Sequence, residues 1–284
     1  MKEIVIHTLL DGFRLLPFLF ATFLLIEYIE HKVNDKNIIK LSKTTKKIGP
    51  VMGSLLGMFP QCGFSVSATN LYAKKIITMG TLIAIYLSTS DEMLPIMISK
   101  RINIVTIIQI LFLKFIIGFI IGFIIDFLLR RKKQLPNKSQ INSNLNHKHC
   151  HCEKGILKSS IDHTINILIF ILLTTFILNV AITYLGEDTL SKILLKNNLY
   201  GPFIAGLIGL IPNCASSVII TELYLHNAIN FGSAMAGLLS GSGIGLLVLF
   251  KTNKNMKENF LILLIIYVVA VISGIFLHLI DFII

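Results

Sequence analysis

The chain has 284 residues, of which 54% are hydrophobic and only 14% charged, with a mean hydropathy of +0.77. Soluble domains carry about a quarter charged residues, so an ordinary soluble domain is excluded, and four scattered cysteines are too few for a disulfide framework. The net charge of +11 gathers at the ends of apolar blocks rather than on one face, which argues against nucleic acid and for a lipid bilayer as partner.

In chain order, apolar blocks fall at about 13–29, 49–73, 76–98 and 103–129, then at 162–185, 201–225, 231–250 and 258–282. Asp11 and Arg14 interrupt the first block and no small-residue cleavage site follows, so no cleavable signal is expected. Residues 103–129 and 259–280 each exceed the roughly 20 residues that cross a bilayer.

The strongest internal signal is a repeat. Residues 49–90 align without a gap on residues 201–242, at a constant offset of 152 (Gly49 against Gly201). Gly49, Pro50, Gly57, Pro60, Cys62, Ser65, Thr69, Tyr72, Gly80 and Ser88 each meet the same residue type in the second copy. Duplicated halves of this size are the usual build of a secondary transporter.

The second block of each half is broken near its middle, at Pro60-Gln61-Cys62-Gly63 and Pro212-Asn213-Cys214-Ala215. Proline donates no backbone hydrogen bond and ends the preceding turn, and such breaks at membrane depth survive only where backbone lines a cavity or lies inside protein. With each broken block as a re-entrant hairpin, each half has three full spans, an odd number, which inverts the second half. Under that topology the loops at 30–48, 74–75, 130–158 and 251–257 hold 19 basic residues inside, against five outside at Lys2, Lys100, Arg101, Lys192 and Lys196. The expectation is an all-α polytopic membrane protein of two inverted repeats, each with three full spans plus a Pro-broken re-entrant hairpin. Ten short spans are the alternative. The first repeat covers 1–129, a basic His/Cys-containing cytoplasmic loop 130–160, and the second repeat 161–284. The expected location is a bacterial cytoplasmic membrane, crossed many times.

The paired breaks are the first site candidates. Inverted, they meet near the midplane and present backbone groups with Gln61, Ser65, Asn213 and Ser217; a plain proline kink packed with small residues is the structural alternative. Cys62 and Cys214 could be thiolate ligands or merely small buried apolar residues. The spans carry no Cys-X-X-Cys motif, which argues against a membrane thiol oxidoreductase. A further break, Ser88-Thr89-Ser90-Asp91-Glu92 before Pro95, has the counterpart Ser240-Gly241-Ser242-Gly243. Carboxylates inside apolar segments usually mark ion paths, and Glu222, opposite Asn70 in the repeat, is a third. Solvated acids at the interface are the plainer reading of Asp91, Glu92 and Glu222. In the central loop His147, His149, Cys150, His151 and Cys152 alternate in a polar stretch, a compositional metal-collecting signal without zinc-finger spacing. The glycines at 237, 241, 243 and 245 read as close helix packing. No phosphate loop is present, so the motive force is an ion gradient or that of the solute itself.

The segments Phe59-Pro60-Gln61-Cys62-Gly63-Phe64-Ser65, Asn70-Leu71-Tyr72-Ala73, Leu87-Ser88-Thr89-Ser90-Asp91-Glu92 and Gly209-Leu210-Ile211-Pro212-Asn213-Cys214-Ala215-Ser216-Ser217 resemble a family of manganese transporters. That family is also described as ten-helix heavy-metal exporters and, in places, as arsenic efflux proteins. The resemblance extends to Leu25-Ile26-Glu27-Tyr28-Ile29-Glu30-His31 and to the His/Cys loop, which is short here. It implies a transporter rather than an enzyme, with no cofactor beyond the transported metal ion. For Mn²⁺, oxygens would come from Asp91, Glu222, Asn70, Gln61 and Asn213; for arsenite, Cys62 and Cys214 would matter most. An organic solute, a channel and a metal-dependent membrane enzyme remain as alternatives, and the oligomeric state is open.

Overall fold

The computed structural model describes residues 48–59, 62–90, 93–132 and 200–283, with scattered helical positions at 16–24 and 161–176. Among the described residues every regular element is a helix. The first half contributes α1 (Ile48–Gly57), α2 (Cys62–Ala73), α3 (Met79–Ser88), α4 (Met93–Ser99) and α5 (Ile104–Lys132). The second contributes α6 (Gly201–Gly209), α7 (Cys214–Leu225), α8 (Phe231–Ser240), α9 (Gly245–Thr252) and α10 (Met256–Ile283).

Moving α2 and α3 along by the repeat offset reproduces the bounds of α7 and α8 residue for residue. The correspondence continues through α5 and α10, where sequence identity has faded. Start and stop signals repeat as well. Thr78 caps α3 by accepting from the Thr81 amide at 3.2 Å, and Asn230 caps α8 by accepting from the Ser233 amide at 2.7 Å. α2 and α7 both end in a Schellman turn: the Ile76 amide reaches the Leu71 carbonyl and Ala228 that of Leu223, with Lys75 and Asn227 left-handed at φ 59° and 55°.

Length separates two kinds of helix. With 29 and 28 residues, α5 and α10 reach about 42 Å at 1.5 Å per residue, enough to cross a bilayer core of about 30 Å. α2 and α7, with 12 residues each, reach only about 18 Å, so neither crosses alone. α3 with α4, and α8 with α9, are long enough only when taken together across their breaks, as Met79–Ser99 and Phe231–Thr252.

Burial sorts them the same way. Of the apolar windows of α5 and α10, 22% and 28% is buried, against 75% and 83% for the α3–α4 and α8–α9 pairs. The long helices therefore present Ile108, Phe112, Phe123, Leu264, Ile272 and Phe276 outward, as a lipid-facing surface must. The broken helices form the centre, where Leu82, Ile83, Leu239 and Val248 have no exposed surface.

Glycines set how closely these layers approach. A Cβ on Gly122 would stand 2.6 Å from the Gly80 carbonyl and 3.2 Å from Pro50, and one on Gly274 2.6 Å from the Gly232 carbonyl and 3.2 Å from Pro202. α5 thus lies backbone to backbone on α3, as α10 does on α8, the small-residue contact that membrane helices use. Between the halves the contacts are reciprocal: α2 packs on α9 as α7 packs on α4, and α3 packs on its own counterpart α8.

Candidate functional site

The inner broken helices end where the two halves meet. α3 stops at Ser88 and α8 at Ser240. Each leaves C-terminal carbonyls without intrahelical partners, at the negative end of a helix dipole. Between them stands Lys114, midway along α5 and 1% exposed. Its Nζ donates to the Thr89 carbonyl just beyond α3 and, at 2.9 Å, to the Leu238 carbonyl in the last turn of α8. A bare ammonium at this depth would cost several kcal/mol of desolvation. Carbonyls of both halves offset that, and Lys114 ties the halves together.

Beside Lys114 is a small cavity whose walls come from four helices and three breaks. Thr89 and Ser90 follow α3, Met93 opens α4, Asn213, Ser216 and Ser217 surround the start of α7, and Leu238, Gly241 and Gly243 close the end of α8. Asn213 is 3% exposed and extended at φ −144°, ψ 147°, where it starts α7 without capping it through its side chain. Its carbonyl accepts from the Ser216 hydroxyl at 2.8 Å. Gly243, at φ 58°, lets the chain turn sharply between α8 and α9.

A second polar cluster lies two residues farther on. Ser65, 1% exposed on α2, faces Gly245, where a Cβ would come within 2.8 Å of the serine Cβ. The Tyr86 hydroxyl donates to the Gly245 carbonyl at 3.0 Å and meets the Thr69 hydroxyl at 2.5 Å. That joins α2, α3 and α9 in one buried network. On the next residue of α2, Asn70 is 5% exposed, and its Nδ2 finds no partner among the described residues.

The sequence candidates therefore divide. Asn213 and Ser217 line the cavity with Lys114; Ser65 lies against Gly245 instead; Pro212 is half-buried in the break. Cys62 and Cys214 are the first residues of α2 and α7, at equivalent places in the repeat. Asn70 is buried, but its counterpart Glu222 sits at a helix end, 35% exposed, paired with Lys100 and 3.4 Å from His226 Nε2. Pro60, Gln61, Asp91, Glu92, and the loop residues His147, His149, Cys150, His151 and Cys152, lie outside the described residues. Among those described, no three His, Cys, Asp or Glu side chains gather as a metal site.

Three buried polar residues escape a reading by motif: Lys114, Asp126 and Tyr86. Lys114 carries the clearest signal, a lone lysine midway along an apolar span, where an ionisable residue is functional by default. Asp126 accepts from the Gly80 amide at 2.9 Å and from the Thr78 hydroxyl at 2.6 Å, holding the start of α3. At the matching place on α10 stands His278, whose Nδ1 is buried without a partner among the described residues.

A family model described as "Putative, 10TM heavy-metal exporter" matches residues 1–181 and 151–283. No curated protein and no solved structure matches the chain.

Proposed function

The chain belongs to this family of 10TM heavy-metal exporters over its whole length, and from that premise we propose that it exports a divalent metal ion, manganese foremost, through a midplane site where two inverted repeats meet. One observation carries the proposal: the ends of α3 and α8, one from each half, converge on the same buried polar centre at Lys114. Secondary transporters use discontinuous helices in this way, with carbonyls at half-helix ends facing the coupled or transported ion. Carbonyl, amide and hydroxyl oxygens suit Mn²⁺ better than a soft ion, and Asp91 and Glu92 follow Ser90 directly in the chain.

The contacts support inversion. The end of α2 approaches the start of α10, with the Tyr72 hydroxyl 3.5 Å from Glu258, while the end of α7 pairs through Glu222 with Lys100 before α5. Basic residues 74–75 and 251–257 then share the cytoplasmic face of a bacterial inner membrane, and Lys100 lies on the other. Counting the first apolar block, α1, α2, the α3–α4 pair and α5 separately makes five membrane segments per half. Ten membrane segments in all fit a 10TM description; with α1 and α2 as the two arms of a re-entrant hairpin, three full spans remain per half, an odd number. We propose the segment between the repeats, with His147, His149, Cys150, His151 and Cys152, for collecting metal on the cytoplasmic side.

The test is flux of Mn²⁺ in proteoliposomes and Mn²⁺ tolerance in an efflux-deficient host. Export abolished by Asp91→Asn and unaffected by Cys62→Ser with Cys214→Ser supports this proposal; no flux of any metal under any gradient overturns it. The position of Cys62 and Cys214 at the starts of two equivalent helices favours one second reading, arsenite efflux, which requires protection that depends on those cysteines.

A further inference from the structure

We infer that the Thr89 and Leu238 carbonyls form the seat of the transported cation, and that the Lys114 ammonium is a tethered stand-in for that cation, displaced when the metal enters. The inference rests on the export proposal above and names its central ligands and their competitor.

The seat has the chemistry of a cation site. Its two oxygens are backbone carbonyls at the C-terminal ends of α3 and α8, each at the negative end of a helix dipole. They come from different halves, so only their joint position makes the site. Oxygen ligands of this kind suit hard divalent cations. What sits on them is a compact positive charge, 1% exposed. Without it, two helix ends would face each other across a buried space with their negative ends together.

The arrangement also lets the ammonium leave. The α5 backbone is pinned to α3 by close approach, with a Gly118 Cβ only 2.8 Å from the Ala84 carbonyl, so the helix itself cannot carry the charge away. Lysine, however, has a four-carbon stem with several rotatable bonds. The cavity beside it offers Ser90, Asn213 and Ser217 as alternative partners. The repeat supplies one such ammonium, since the position matching Lys114 is Ile266, wholly buried on α10. A metal and Lys114 therefore compete for one seat. Between transport steps the ammonium keeps the two helix ends closed on each other.

The experiment measures Mn²⁺ binding to the full-length protein in detergent, read by loss of the free Mn²⁺ electron paramagnetic resonance signal, alongside Mn²⁺ flux in proteoliposomes. The variant is Lys114→Gln, which keeps a polar N–H donor at this position but carries no charge. Binding at least about tenfold tighter, with slower flux because the ion is no longer pushed off, supports the seat. Wild-type flux with Lys114→Gln affinity unchanged or weaker overturns this inference and leaves the export proposal standing. Neither binding nor flux of Mn²⁺ or Zn²⁺ in the wild type overturns both. Should Lys114→Gln fail to fold, the wild-type chain is treated with an amine-acylating reagent and Lys114 followed by mass spectrometry. Reactivity that rises as Mn²⁺ saturates supports displacement; reactivity indifferent to Mn²⁺ sinks it.

Discussion

Midway along α5 stands Lys114, and at the matching position of α10 stands Ile266, both fully buried. Three more pairs differ in kind: Tyr86 against Leu238, Asn70 against Glu222, and Asp126 against His278. Around them the two halves keep the same glycines, Gly57 with Gly209, Gly80 with Gly232 and Gly122 with Gly274, each with a hypothetical Cβ against the same neighbour. Close backbone approach has one solution, so both copies retain it. A buried polar centre has several, and strict symmetry is a poor one here. Two ammoniums on the same pair of helix ends would repel each other at low dielectric. The two halves share a scaffold and divide the chemistry.

The scaffold half of this comparison predicts equal damage from equal changes. Gly122→Leu and Gly274→Leu each drive a side chain into a facing backbone carbonyl, which cannot rotate away as a side chain could. Each should lower stability by about 3 kcal/mol or more and cut the yield of monodisperse protein, read by thermal unfolding in detergent. A large loss in one copy with a small loss in the other would show that only one half relies on the close contact.

The divided half predicts unequal damage at matching positions. Asp126→Ala removes the acceptor of the Gly80 amide and of the Thr78 hydroxyl; the hydroxyl keeps Thr81 as a partner, but the buried amide loses its acceptor, at a cost of about 2 kcal/mol. His278→Leu removes a ring nitrogen that has no partner among the described residues, so stability should move by no more than about 0.5 kcal/mol. Matching losses at both positions would mean that His278 also holds its helix, and the asymmetry would shrink to the three remaining pairs.

How much of this was open to a reader of the sequence depends on the physics involved. The repeat over 49–90 and 201–242 is legible because prolines, glycines and caps leave few substitutes, and the helix bounds follow it. Its continuation through α5 and α10 is not, since a lipid-facing surface accepts almost any apolar residue and identity drifts away. Asn213 and Ser217 are legible because the break at Pro212 announces them, and they do line the cavity with Lys114. Lys114 hides in plain view: a motif search looks for repeated residues, and this one matters partly because it is not repeated. The pairing of Glu222 with Lys100 joins residues 122 positions apart, which no local pattern encodes.

That pairing yields the smallest expected effect and a sharp test of the difference between Asn70 and Glu222. Glu222 and Lys100 are both about a third exposed or more, so water screens their attraction, and the pair should contribute less than about 1 kcal/mol. Glu222→Gln should lower the unfolding temperature slightly at low salt and not at all at high salt, where counterions screen both charges. Its counterpart Asn70 carries no charge, so the first half already does without one at this position. If Glu222 serves only to hold the ends of α4 and α7 together, Mn²⁺ flux in Glu222→Gln stays within about twofold of wild type. A loss beyond about tenfold, with the salt-dependent stability change still small, would move Glu222 from the rim onto the path of the ion, and the path would then leave the centre on the side of Lys100.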